Sequence, residues 1–291
     1  MIPVPHAGGP GFVADIDGVA LAVDTDGDGK TEEKVKGAGG TVTLKGKNAE
    51  GKAFVYTVRI APGDGGWVMT PAMTMAGKVA GVDVKLVDMN CDGVFNEIGV
   101  DAMMTGAGAA SYVSEVASLA GKLFDVSIAA GGTTVTAKPH DGKAGTLNLA
   151  KAWKSDGADL VSAIVVSADG KKSFQLAGAK NGLLVPEGEY RLAAGFAKKG
   201  SESVKVRGGE GMKPLTVEAD KATTLSWGGP VEVDFTFSIT KDVLTVPTNL
   251  KYLGAAGEEY FEFKPDTKSP LIIVTDTESK AVVKEGRFGG C

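Results

Sequence analysis

The chain has little of what most catalytic and cofactor sites are built from. It holds two histidines, His6 and His140, in 291 residues. Neither has a cysteine or a second histidine at metal-ligand spacing, and both are expected as exposed loop residues. A Ser-His-Asp triad would have to recruit His140, beside Asp141, and no Gly-x-Ser-x-Gly elbow is present to receive it. Two cysteines, Cys91 and Cys291, exclude a disulfide scaffold. They are expected as free or differently used thiols, with a disulfide between them as the alternative. Glycine pairs such as Gly39-Gly40 and Gly208-Gly209 spell no phosphate loop. No run of about 18 apolar residues occurs, so no membrane-spanning helix is expected. The net charge is −5, without the basic stripe a nucleic-acid partner would need. The opening MIPVPHAGGPGF lacks the basic and apolar regions of a secretory signal.

Glycine and short apolar runs are abundant. The 42 glycines and 12 prolines are scattered between runs of four to nine residues rich in Val, Ile, Phe and Thr, a pattern of many strands and many turns. Val231 to Ile239 alternates apolar and polar residues strictly, which predicts one core face and one wet face. Asp169-Gly170 reads as a hairpin turn. One stretch has helical spacing: Tyr112, Val113, Val116, Leu119 and Ala120 share a face, with Gly121 as a stop, so a short helix is expected within 109–121. The fold class is all-β, in two or three sandwich-like domains. Trp67, Trp153 and Trp227 are spread along the chain and are expected in cores or against turns, with a sugar-stacking platform as the alternative.

Two acidic loops carry the chemistry. The first is Asp24-Thr-Asp26-Gly-Asp28-Gly29-Lys30-Thr-Glu32-Glu33; the second is Asp88-Met-Asn90-Cys-Asp92-Gly93-Val94-Phe-Asn96-Glu97. Both place oxygen-bearing side chains at loop positions 1, 3, 5, 9 and 10, and glycine at position 6. Ca²⁺ is a hard ion that takes six to eight oxygens, and this spacing wraps a chain around one such sphere. The backbone carbonyl of position 7, Lys30 or Val94, is expected as a further ligand. Mg²⁺ demands a tighter octahedron and suits the pattern less. Each loop follows a similar strand, Val19 to Val23 and Val82 to Val87, and each precedes a Lys-x-Phe strand starting at Lys52 or Lys122. An internal duplication is therefore expected, with units of about 10–80 and 81–152 inside an N-terminal domain 1–152.

The loops resemble EF-hand-type calcium loops, including those of dockerins and thrombospondin type 3 repeats. They depart from the EF-hand at position 12, where Val35 and Gly99 replace the bidentate glutamate, and in their flanks, which read as strands. Closure of the ion sphere is expected from Glu33 in the first loop and from Glu97 or Asp101 in the second. Farther on, Pro186-Glu-Gly188-Glu-Tyr190 resembles the Pro-x-Gly-x-Tyr step of carboxypeptidase-regulatory-like, transthyretin-like sandwiches, which places such a domain at 153–230 and a small β-domain at 231–291. The order of parts resembles secreted and cell-envelope bacterial β-proteins. The resemblance implies an extracytoplasmic, Ca²⁺-stabilised, non-enzymatic structural or cell-surface protein, with cell-surface or matrix components or glycan as partners. The alternatives are a carbohydrate- or ligand-binding module and a hydrolase using paired carboxylates, for which the sequence nominates no pair.

Overall fold

The computed structural model describes residues 1–241, 243–247, 250–263 and 271–287. It is all-β: many small, mostly antiparallel sheets, with one 3₁₀ turn at Ala150–Ala152 as the helical element among the described residues. Among those residues no helix is long and apolar enough to cross a membrane.

The first half repeats one order of elements. Strands β1 (Ala14–Asp17), β2 (Ala20–Val23) and β3 (Glu33–Val35) form an antiparallel meander, and β4 (Gly40–Lys47), β5 (Ala53–Gly63) and β6 (Gly66–Pro71) form the next. Then β7 (Met75–Val79), β8 (Val82–Val87), β9 (Ala102–Thr105) and β10 (Ser111–Tyr112) form a sheet in the order β10-β9-β8-β7. They are followed by the meander β11 (Val116–Leu119), β12 (Lys122–Ile128) and β13 (Val135–Pro139). In both rounds the acidic loop joins the second strand to the third. The two Lys-x-Phe segments enter β5 and β12, each the central strand of the meander that follows.

Period-two alternation builds the first core. Val42 and Leu44 of β4 face Val58 and Tyr56 of β5, and all four are buried, while Lys45, Val55 and Arg59 point outward. Each such side chain contributes roughly 1.5–3 kcal/mol when removed from water. Ile2, Val4 and Phe12 close this core from the N-terminal segment.

Residues 109–121 are not helical. They contribute β10 and β11, and Ala120-Gly121 is the two-residue turn of the β11–β12 hairpin, with both residues left-handed at φ +49° and +78°. Val113 and Val116, β-branched and stiff at χ1, favour the strand, and the glycine taken for a helix stop is a turn glycine. Alanine is costly in the left-handed region by about 1 kcal/mol. Ala120→Asn is therefore expected to raise stability by about 0.5 kcal/mol, read from the urea midpoint; a lower midpoint would contradict this turn.

The second half comprises β14 (Ala144–Asn148), β15 (Trp153–Lys154), β16 (Asp159–Ser167), β17 (Ser173–Gln175), β18 (Leu183–Pro186), β19 (Gly188–Lys199), β20 (Glu202–Arg207), β21 (Leu215–Val217), β22 (Ala222–Thr224) and β23 (Trp227–Gly228). Strand β14 lies between β18 and β22, pairing parallel with β22, and β16, β17, β19 and β20 form a larger sheet. Asp169-Gly170 is indeed the turn between β16 and β17. At Pro186–Tyr190 the chain leaves the β14 sheet and enters the β16 sheet, and the buried Tyr190 hydroxyl donates to the Pro186 carbonyl at 2.9 Å. Between the sheets lies the second core. Trp227 is fully buried there, donates Nε1–H to the Leu149 carbonyl at 3.0 Å and packs 6.1 Å from the Trp153 ring. Trp67 is packed, partly buried, against the first core.

The last strands are β24 (Glu232–Asp234), β25 (Ser238–Thr240), β26 (Val243–Thr245), β27 (Lys251–Leu253), β28 (Glu259–Phe261), β29 (Leu271–Thr275) and β30 (Val282–Arg287). Strand β28 pairs with β20, and β27 and β24 extend the same sheet, whereas β25–β26 and β29–β30 are separate hairpins. The expected core face of 231–239 does not form: Phe237 and Ile239 are 62% and 67% exposed. The run breaks into two three-residue strands with different partners, so its alternation never meets one core.

Candidate metal centre

The two acidic loops share one hydrogen-bond frame, set by the carboxylate at position 1. Asp24 is buried; its Oδ1 accepts from the Gly27 N–H at 2.7 Å and its Oδ2 from the Gly29 N–H at 3.0 Å. Asp88, also buried, accepts in the same way from the Cys91 N–H at 2.8 Å and the Gly93 N–H at 2.6 Å. In both loops the position-5 carboxylate, Asp28 or Asp92, accepts the N–H of position 7, Lys30 or Val94, at 2.8 and 2.9 Å. Position 6 is left-handed in both, Gly29 at φ +87° and Gly93 at +82°, the conformation for which glycine was expected there. Position 4 is left-handed too, and there the second loop holds a non-glycine, Cys91 at φ +60°. The chain turns so sharply because three amides within one loop, those of Asp26, Gly27 and Gly29 or of Cys91, Asp92 and Gly93, must point inward at one carboxylate.

In the first loop Asp24, Asp26, Asp28 and Glu32 form the cluster: one oxygen of each lies within 4.8 Å of the others, an arrangement that could hold a divalent cation. Glu32, at position 9, also accepts from the Thr25 N–H at 2.8 Å. Glu33, expected to close the sphere, is outside this cluster and stands in β3 opposite Val23. The Lys30 ammonium sits 3.2 Å from Asp28 Oδ2. The Lys30 backbone amide first, then its side chain, hold the Asp28 carboxyl below its ordinary range. Beneath the loop His6 packs on Phe12 with ring centroids 4.5 Å apart, and a Cβ at Gly27 would lie 2.8 Å from its imidazole. His6 is thus packed rather than exposed.

The second loop is braced differently. Tyr56, on β5, donates its hydroxyl to Asp88 Oδ2 at 2.7 Å. Burial, then that bond, pushes the phenol pKa upward and keeps it a donor. Asn90 donates its amide to Asp92 Oδ2 at 3.1 Å and to Glu97 Oε2 at 2.7 Å, so the amide nitrogen stands where a cation would hold these two carboxylates together. Turning that amide over would present Oδ1 instead. Asp101 is fully buried and accepts the Met89 and Glu97 N–H groups at 3.1 and 2.9 Å. Desolvation raises its pKa against the pull of those two bonds. Asn96 turns away and donates to the Ile128 carbonyl at 3.0 Å. Cys91 is buried, bonded to no cysteine among the described residues, with its thiol pKa pushed up first by burial and then by Asp88. Cys291 lies outside the described residues.

Two features had no motif to announce them. Tyr56 reaches Asp88 from another sheet, which loop spacing cannot show. His140, expected exposed, has a side chain only 14% exposed and bonds Asp125 Oδ1 through Nδ1 at 2.6 Å. These two are 15 apart in sequence, but His140 directly follows β13, which pairs with β12 and sets Lys138 opposite Asp125. No protein-family model, curated protein or solved structure matches the chain.

Proposed function

We propose that the chain is a non-enzymatic, Ca²⁺-stabilised structural or surface protein that works outside the cytoplasm, with one ion in each acidic loop. The observation that carries this is the gathering of Asp24, Asp26, Asp28 and Glu32 into one cluster, on a buried carboxylate that orders the loop around it. Four carboxylates at one point repel one another, and a divalent ion offsets that repulsion. The all-oxygen donor set and the flexible loop suit Ca²⁺ better than Mg²⁺, which wants a rigid octahedron. The shared frame of the second loop, and the repeated order of strands around both, support a duplicated unit. The Tyr190-to-Pro186 bond at a crossing between two sheets supports the resemblance of the second core to a transthyretin-like sandwich. Its sheets then draw in β14 and β28 from beyond 153–230. An extracytoplasmic address follows from the ion, because free Ca²⁺ is plentiful outside the cell and scarce within it.

Thermal unfolding of the full chain tests this. An ion that binds only the native state adds about 2.7 kcal/mol per site at a free concentration of 100 Kd, worth roughly 5–10 °C in Tm for a chain of this size. The expected order of Tm is Ca²⁺ above Mg²⁺ above EDTA. Equal melting in Ca²⁺ and EDTA would overturn the reading.

A further inference from the structure

A cleft of about 610 Å³ opens where the two cores meet, beside the end of the second acidic loop, whose Asn96 lines it. We propose that it is a binding site for a neutral, hydroxyl-rich ligand, a short saccharide, held by Asp125, Ser127 and His140.

The cleft is preformed. Its floor is β12, and its walls are the 113–116 segment and the β16–β17 turn, which are fastened together. The Glu115 N–H donates to the Lys171 carbonyl at 3.0 Å, and the Ser173 N–H donates to Ser114 Oγ at 3.0 Å. The volume falls within the ordinary range for small-molecule sites. Asp125 and Ser127, two residues apart on β12, project from one face of the sheet. His140 holds Asp125 Oδ1. Asp125 Oδ2 and Ser127 Oγ have no protein hydrogen-bond partner among the described residues and are open to solvent, so a ligand here would take the place of water.

The surroundings select the ligand class. The lining of the cleft sets two carboxylates, Glu115 and Asp125, against one ammonium, Lys172, which already pairs with Asp169 at 3.4 Å, so a phosphate or sulfate is disfavoured. Strand β12 is paired on both edges, with β11 and β13, so an extended peptide finds no ladder to join on the floor. Val113, Val116 and Ile128 are buried in the cores and Ile98 is the exposed apolar side chain of the lining, so an acyl chain finds little to cover. Glu115, Asp125, Ser127 and His140 beside Ile98 offer hydrogen-bonding groups around one small apolar patch, which suits the hydroxyls and C–H face of a sugar. No phenyl, phenol or indole ring lines the cleft, so binding is expected to be weak, with a Kd on the order of 0.1–1 mM.

The experiment is titration of the full, ¹⁵N-labelled chain with cellobiose, chitobiose, maltose and lactose in turn, with putrescine and inorganic phosphate as charged probes, once in EDTA and once in Ca²⁺. The expected result is a saturable shift confined to the amides around Asn96, Glu115, Ser127 and His140 with at least one disaccharide, in either buffer. Asp125→Ala should weaken it about tenfold, the worth of one charge-assisted hydrogen bond. Ser127→Ala, which removes a hydroxyl without a protein partner and should leave Tm unchanged, should weaken it about threefold. Three outcomes would each overturn the proposal: no saturable shift with any of the four sugars, a shift that both variants leave intact, and an equal response to putrescine or phosphate. None of them bears on whether the acidic loops take Ca²⁺, which the melting experiment decides separately.

Discussion

Asp88→Ala should cost about 3–5 kcal/mol of folding stability even in a chelating buffer, before any ion contributes. The Asp88 carboxylate is buried and accepts four donors: the Tyr56 hydroxyl and the N–H groups of Cys91, Asp92 and Gly93. Truncation strands those donors, each at about 1–3 kcal/mol when it finds no water, and opens a cavity beneath the loop. Part of the sum is recovered because the loop rim can hydrate, and because removing a buried charge relieves its desolvation. Asp92→Ala is the contrast. Asp92 is half-buried and accepts only the Val94 N–H and the Asn90 amide, so its loss should be within about 1 kcal/mol in EDTA and become large only in Ca²⁺. Urea denaturation of the two variants in both buffers reads this directly. If Asp88→Ala lost less than about 1 kcal/mol in EDTA, its carboxylate would not be organising the loop. If Asp92→Ala lost the same amount in both buffers, Asp92 would support the turn rather than an ion.

The second large effect lies far from the loops. Glu258 is fully buried; its Oε1 accepts the Gly228 N–H at 2.6 Å and the Tyr260 hydroxyl at 3.1 Å, and its Oε2 accepts the Ala256 N–H at 2.9 Å. Trp153 Nε1 reaches the same tyrosine oxygen at 3.4 Å. The network fastens the turn between β27 and β28 to the end of β23. A buried charge is costly unless its bonds are all made, and here each bond is made by a rigid donor. Glu258→Ala should therefore cost about 3–5 kcal/mol, whereas Glu258→Gln, which keeps the shape and the Oε1 acceptor, should lose roughly half as much. A loss in Glu258→Ala no larger than in Glu258→Gln would mean the charge and the Oε2 bond, not the cavity or the Oε1 bonds, carry the effect.

The strands and the loop frame were legible in the sequence because both depend on local spacing. Period-two runs bounded by glycine gave β4, β5 and β12, and Asp-x-Asp-x-Asp-Gly placed glycine where the backbone turns left-handed. The 109–121 segment misled because a helical face and two short strands joined by a bend can carry the same apolar residues. The choice is made by pairing with β9 and β12, which lie elsewhere in the chain. Glu32 and Glu33 differ by one position, and the β3 ladder decides between them by drawing Glu33 into register with Val23. The Val231–Ile239 alternation implied one continuous strand with a core face, but the run is exposed throughout and splits into β24 and β25, which pair with different partners. Tyr56 beneath Asp88, and Asp125 beside His140, depend on which strands become neighbours, and no spacing within one strand records that.

The small sheet β11–β12–β13 belongs to both halves at once. Val116 and Leu123 lie in the second core, while Ala117, Leu119 and Ile128 lie in the first. The sheet is a party wall, insulated by a different set of side chains on each side. Taking away either neighbour would bare one of its faces to water, so the two cores do not come apart cleanly at this sheet. Whatever steadies the N-terminal loops steadies that wall, and through it the second core, whose strands carry no acidic loop of their own.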